Sequence, residues 1–251
     1  MPVAIETLTA IPRSLGLSRA FWKSVARRWT GLGLLHLHLA VGLALLPVTA
    51  RVHAAYGAFA RDTAPTLFAE FPKILLHDGQ VLSEDATWID PRSGEVLLVI
   101  DTTNRRPPEA REPLRVSQGA LWIGAGPHAQ RFSLEGLTLL IDREAMLGWV
   151  DSLRIGLAPL FYASAFVGSA CWRLVLAFFV MGPAAYGWAR LRGLRLGLDA
   201  CVRVASLAQT PGLLVGALGL SLGASPWLWL LLASLLPLIW TIWAVEASRE
   251  T

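Results

Sequence analysis

Arg173 is the one ionised side chain well inside an otherwise unbroken apolar run, Leu157–Trp188. A charge at depth in such a run faces a bundle interior or water and takes a partner. The chemistry open to it is recognition of an anion, either a substrate or a lipid headgroup. The alternative is a snorkelling side chain on an overlong, tilted helix. At about 1.5 Å per residue the run would be ~48 Å long against ~30 Å of hydrocarbon. That excess leaves room for Arg173 off the midplane.

Other residues with chemical potential carry bland readings beside the sharp ones. His36 and His38 lie two apart, so on a helix they point to different faces, and no other histidine falls inside an apolar run. Polar packing or an interfacial place fits them better than a metal or haem site. Asp101, followed by Thr102 and Thr103, could hold a cation or polarise water, but no second carboxylate is tied to it by spacing, so a strand-end cap is favoured. Arg203 and Asp199 stand at i, i+4 and suit a structural ion pair. Gly212, Gly216, Gly219 and Gly223 make two GxxxG spacings, which favour close helix packing within a bundle over dimerisation. The two cysteines, Cys171 and Cys201, form no ligand cluster and staple no outside domain. No GxSxG, HExxH, P-loop or Rossmann glycine pattern occurs. No catalytic residue, metal or cofactor is implied, and an enzyme is disfavoured.

The elements that would position these residues follow from composition. Of 251 residues, 54% are apolar and 16% charged, and mean hydropathy is +0.51. That excludes disorder. The apolar excess is gathered into four stretches near the ~20 residues needed to cross hydrocarbon: 30–49, the long run within 156–189, 202–222 and 227–245. Pro211 and Pro237 lie in the last two and would kink them.

Charge sets the orientation. Arg13, Arg19, Lys23, Arg27 and Arg28 precede the first stretch, and Arg190, Arg192, Arg195 and Arg203 lie between the second and third. Both belong in the cytoplasm by the positive-inside rule. Between them, Arg51–Ile155 carries 14 acids against 11 Lys and Arg, a net of −3 in a chain of net +4. This piece belongs outside. Trp29, Trp188, Trp240 and Trp243 near inner ends, and Trp227 and Trp229 near an outer end, fit interfacial anchors. Val48-Thr49-Ala50 has the look of a signal cleavage site, but the preceding charged region and the apolar run are both too long, so an uncleaved anchor is favoured. Segment 1–29 is basic, and Ser14–Trp29 has amphipathic spacing that suits a helix lying on anionic lipid at the cytoplasmic face. The basic pI of about 9.6 is thereby explained without nucleic acid.

The outside piece, 50–155, reads as β-rich. Lys73–His77, Gln80–Leu82, Glu95–Ile100, Gly119–Ile123 and Ala129–Leu134 are short apolar or alternating runs separated by turn signals. His77-Asp78-Gly79-Gln80 is a hairpin signal. Asn104–Pro113 is expected to be an exposed loop, and a helix capped near Asp142 leads into the second span.

In this order the residues resemble the bacterial membrane family of unknown function DUF 1189. Phe21-Trp22 through Trp29-Thr30-Gly31 resembles that family's aromatic, basic lead-in. Phe71-Pro72-Lys73-Ile74 through Asp78-Gly79 resembles its strand pair. Val99-Ile100-Asp101-Thr102-Thr103 resembles its strand end, although Asn104 stands where glycine is common. Arg203-Val204-Ala205 through Thr210-Pro211 resembles the cytoplasmic approach to its third span. The resemblance implies a fold and a membrane address but no reaction. A maltodextrin-utilisation label on some members points faintly to sugar uptake.

The expectation is therefore a membrane α-helical protein with four transmembrane helices and a small β-rich α+β extracytoplasmic domain inserted between helices 1 and 2. It places residues 190–201 in a basic cytoplasmic loop, 223–226 in a short outer loop and 246–251 in a cytoplasmic tail. Its function would be non-enzymatic: an inner-membrane protein presenting its outside domain to an envelope protein or ligand. The alternative is a transporter or transport accessory using the bundle around Arg173. The partners implied are the lipid bilayer and an unidentified envelope component, with oligomeric state open.

Overall fold

A computed structural model describes residues 9–102, 113–124, 126–223 and 226–249. Thr103 and the expected loop, save Pro113, lie outside the described residues. The fold is mixed helix and sheet, with two small sheets and two compact units: Met1–His53 with Ala158–Thr251, and Ala54–Leu157. Among the described residues, three helical runs are long and apolar enough to cross a membrane: Leu34–Leu67, Arg143–Leu191 and Leu198–Leu222.

In the helical unit, after helical residues 9–14, comes α1, Arg19–Arg27, whose N-cap Ser18 accepts from the Phe21 N–H. Its apolar face packs against protein. Trp22 and Val25 are fully buried, packed in one cluster with Ala185, Val204, Ala244 and Val245. An amphipathic stripe needs only an apolar partner, and here protein supplies it.

The first span starts at Leu34, four residues later than the apolar run. Gly31 and Gly33 hold left-handed φ values of 75° and 72°, and a Cβ on Gly33 would lie 2.6 Å from Leu207 Cδ1. The chain turns there because only glycine fits. Helix α2 then runs Leu34–Ala58, continues through a π-helical stretch, Phe59–Thr63, and ends in the short α3, Ala64–Leu67.

The second run is helical throughout: α4, Arg143–Val175, a π segment, Leu176–Met181, and α5, Gly182–Leu191. Gly182 allows a close approach, since a Cβ there would lie 2.6 Å from Val202 Cγ2. The third span is not a single helix. It breaks at Gln209 into α6, Leu198–Ala208, and α7, Thr210–Leu222, because Pro211 has no N–H for the carbonyl of Leu207. Thr210 Oγ1 donates to that carbonyl instead, at 2.9 Å. The last helix, α8, is Pro226–Ala247, of which Leu231–Ala247 forms a shorter apolar stretch.

The second unit is built on β1 (Ile74–His77), β2 (Gln80–Val81), β3 (Ala86–Ile89), β4 (Val96–Asp101), β5 (Leu114–Ser117), β6 (Ala120–Ile123), β7 (Gln130–Ser133) and β8 (Leu139–Ile141). One sheet has the order β2-β1-β8, the other β3-β4-β5-β6-β7, with β4 and β5 parallel and all other pairs antiparallel. The expected hairpin forms: Asp78 and Gly79 take φ 49° and 78°, the two positive values that a type I′ turn requires. Alternation in β1 buries Ile74 and Leu76 with Val81, Trp88, Leu98, Ile100 and Val116. Trp88 stacks on Phe68 and meets Phe71 edge-on, and its Nε1 donates to the Leu67 carbonyl. The start of α4 belongs to this core, which explains why it begins well before the lipophilic run. Asp142 Oδ1 caps it by accepting from the Ala145 N–H at 2.9 Å, and Val150 packs among the sheet residues.

Candidate functional site

Arg173 lies on α4, three residues before the π segment. Its Nη1 donates to the Ala233 carbonyl on α8 at 3.3 Å. Pro237 stands four residues beyond Ala233, so that carbonyl has no helical donor of its own. The guanidinium fills a vacancy made by proline and so satisfies a backbone group freed among apolar helices. The Arg173 carbonyl in turn accepts from Gln209 Nε2, at 3.1 Å, so α4 is tied to the α6–α7 break. Beside that break His36 Nε2 is 2.9 Å from Thr210 Oγ1. The Thr210 proton is committed to Leu207, so His36 donates from Nε2. Both His36 and Gln209 are buried, which makes this a structural polar belt rather than a ligand pair. His38 Nδ1 lies 2.7 Å from the Leu34 carbonyl of its own helix, and its ring lies beside Phe166 of α4.

A cavity of about 350 Å³ opens next to Arg173, walled by α2, α4, α7 and α8. Val41, Ala44, Leu213 and Trp172 contribute apolar surface, and Gly212 and Gly216 line it as well. Among the described residues Arg173 is the one charged residue in its wall.

The glycine pattern divides. A Cβ on Gly212 would lie 2.6 Å from Pro237 Cδ, and one on Gly216 3.0 Å from Ala233 Cβ. These two let α7 and α8 touch within the unit. Gly219 is buried, and Gly223 lies against the Arg51 guanidinium, which a Cβ there would strike. It takes φ 73° as the left-handed residue ending α7, where Arg51 Nη1 donates to the Leu220 carbonyl.

Arg203 forms no ion pair with Asp199. Its Nε donates to the Val25 carbonyl at 2.8 Å, Nη1 to Gly31 at 2.6 Å and Nη2 to Ala26 at 3.2 Å. The end of α1 leaves carbonyls without helical donors, and a guanidinium fork meets several at once. A same-helix carboxylate would satisfy none of them.

Asp101, at the end of β4, reaches across to the neighbouring strand. Its Oδ2 is 4.0 Å from Arg115 Nη1 on the parallel neighbour β5, and both side chains are largely buried. Asp85 Oδ1 accepts from both the N–H and the hydroxyl of Thr102 at 2.7 Å, tying down the residue after β4.

The β unit also holds a site that spacing did not reveal. A polar cleft of about 770 Å³ lies between the β1–β2 turn and the β5–β6 turn, lined by Asp78, Gln80, Gln118, Trp122, Arg131 and Glu135 among others. Gln118 Nε2 donates to the Val81 carbonyl and Trp122 Nε1 to Ser117 Oγ, which fixes two of its walls. Along one side runs β7, the edge strand of its sheet, with all four residues exposed. A third hollow, of about 420 Å³ in the helical unit, gathers Arg19, Lys23 and Arg249 around Trp243. Glu246, in the same wall, is held by Arg192 Nε at 2.7 Å and Trp188 Nε1 at 3.0 Å. Among the described residues no group of three or more His, Cys, Asp or Glu is placed to hold a metal.

No family model, no curated protein and no solved structure matches this chain.

Proposed function

We propose that this is a multi-pass protein of the bacterial inner membrane that binds an envelope partner outside the cytoplasm and catalyses no reaction. In this reading α8 is the fourth span, both termini are cytoplasmic, and residues 50–155 face outward as a domain inserted between the first two spans. Three long apolar helical runs support a membrane address, and the basic flanks of the spans support the orientation. The resemblance to DUF 1189 is carried as part of the same proposal.

The observation that carries the binding reading is the polar cleft. It combines an aromatic surface (Trp122), two amides (Gln80, Gln118) and charges of both signs (Arg131, Glu135) around an exposed strand edge. Such a mixture suits recognition of a polar chain by hydrogen bonds and ring contact. Among the described residues that line it, none is a nucleophile bonded to a base.

The test is site-specific photocrosslinking in intact cells, with the crosslinker placed at Gln118 or Arg131 and, as control, at Ser93 in a different turn. The expected result is one discrete adduct from the two cleft positions, absent from Ser93 and weakened by Trp122→Ala. Equal labelling from Ser93, or none from the cleft in a well-expressed protein, overturns the reading.

A further inference from the structure

Arg173 has five N–H donors and uses one of them, on Ala233, within the described residues. No carboxylate among those residues reaches it. A guanidinium among apolar helices with most of its donors idle is costly, and a nearby acceptor repays that cost. The space beside it is not filled by protein: the cavity of about 350 Å³ falls at the small end of ordinary ligand sites. Its walls are apolar apart from Ser169, Ser234 and the arginine itself.

We propose that this cavity binds one acidic amphiphile. Its anionic head, a carboxylate or a phosphate ester, would be held by Arg173, and its hydrocarbon would run along Val41, Ala44 and Leu213. The guanidinium suits either head, because its planar fork matches both groups with two parallel hydrogen bonds. A zwitterionic headgroup is poorer, since its cation would enter a space with no acid to meet it. The shape is fixed by the backbone. Gln209 anchors the Arg173 carbonyl, the Pro237 vacancy anchors the guanidinium, and Gly216 supplies no side chain to occupy the hollow. This inference stands apart from the cleft of the β unit, and either can fail alone.

The experiment is native mass spectrometry of the full chain in a non-ionic detergent. It is titrated separately with palmitate, with dioleoyl phosphatidylglycerol and with dioleoyl phosphatidylcholine. The expected result is a single saturable adduct with palmitate or with phosphatidylglycerol, bound about tenfold or more tighter than phosphatidylcholine, as the loss of charged hydrogen bonds predicts. Whichever acidic probe binds identifies the head as carboxylate or phosphate. Arg173→Gln should weaken that adduct about tenfold, and Arg173→Lys should retain part of it. Ala165→Phe, which fills the cavity and leaves the charge in place, should weaken it too and serves if the arginine variants do not fold. Equal binding of phosphatidylcholine, no saturable adduct, or a cavity-filled protein that binds as before overturns the proposal.

Discussion

Arg203 donates through Nε to the carbonyl of Val25 at 2.8 Å, joining residues 178 positions apart in the chain. With the bonds to Ala26 and Gly31 it makes a buried C-terminal cap for α1, supplied by another helix. The positive charge also complements the negative end of the α1 dipole. The amphipathic lead-in is thus locked to α6 by one side chain, while Trp22 and Val25 seal the contact.

Replacing Arg203 should release that lead-in. Arg203→Gln removes charged bonds to three carbonyls, at about 1.5–3 kcal/mol for a typical one, and their non-additive sum should be roughly 3–5 kcal/mol of local stability. Arg203→Lys should recover only a minor part, since an ammonium cannot reproduce the fork. Trypsin cleavage at Arg27 and Arg28 in detergent is the readout. It should accelerate strongly in the glutamine variant, and an unchanged rate would refute the cap. Asp199→Asn should leave cleavage near the wild-type rate.

At the β1–β2 turn the expected cost is conformational and steric together. Gly79 has φ 78°, and a Cβ there would lie 2.7 Å from the Leu134 carbonyl oxygen and 2.8 Å from Glu135 Cα, both backbone atoms. Gly79→Ala should therefore cost more than the ~1–2 kcal/mol of a left-handed alanine alone. Gly94→Ala, at φ 73° with nothing within 4 Å, should cost no more than that amount. Urea unfolding of the full chain followed by tryptophan fluorescence ranks the pair, and equal midpoints would contradict the close approach.

Local chemistry made part of this fold legible. The Asp78-Gly79 hairpin, the Asp142 cap and the long apolar runs are written in neighbouring residues, where turn type, capping and burial follow from short spacings. Strands β3, β5 and β8 were missed because two-residue periodicity is weak over three or four residues. The β4–β5 pair is also parallel, so no tight turn announces it. Arg203 was misassigned for a different reason. Its partners are backbone carbonyls, which every residue type carries, and no spacing rule points to them. For Arg173 a signal did exist: Pro237 announces an orphan carbonyl at Ala233, but only the packing of α4 on α8 shows which donor meets it. The polar cleft was invisible because it is formed by two turns distant in sequence.

The turn between β3 and β4 gives a pH prediction. The Asp90 carboxylate accepts from the Arg92 N–H at 2.8 Å and from Ser93 Oγ at 3.1 Å, and these bonds, led by the Arg92 amide, hold its pKa below the ordinary value. A carboxyl depressed on folding stabilises the folded state above its unfolded pKa, near 3.9, and that contribution fades as pH falls through the lower folded value. Carboxyl NMR should find Asp90 titrating below the denatured-state midpoint. In Asp90→Asn the amide of Arg92 should lose its pH-dependent shift in the same acid range. A midpoint at or above the unfolded value would refute the bonding.

The proline vacancy on α8 predicts a coupling between two residues that do not bond each other. Arg173 matters to stability in part because Pro237 leaves the Ala233 carbonyl without a donor. Pro237→Ala restores an N–H to that carbonyl, so Arg173→Gln should be less destabilising in the Pro237→Ala background than in the wild type. The interaction term should fall in the range of about 0.5–3 kcal/mol that contacting networks show. Pro237→Ala also removes a ring that sits against Gly212, so its own effect on stability mixes a lost contact with a regained helical bond. The cycle cancels that term. Thermal unfolding of the four proteins in one detergent measures it, and strict additivity would show that Arg173 does not serve the carbonyl.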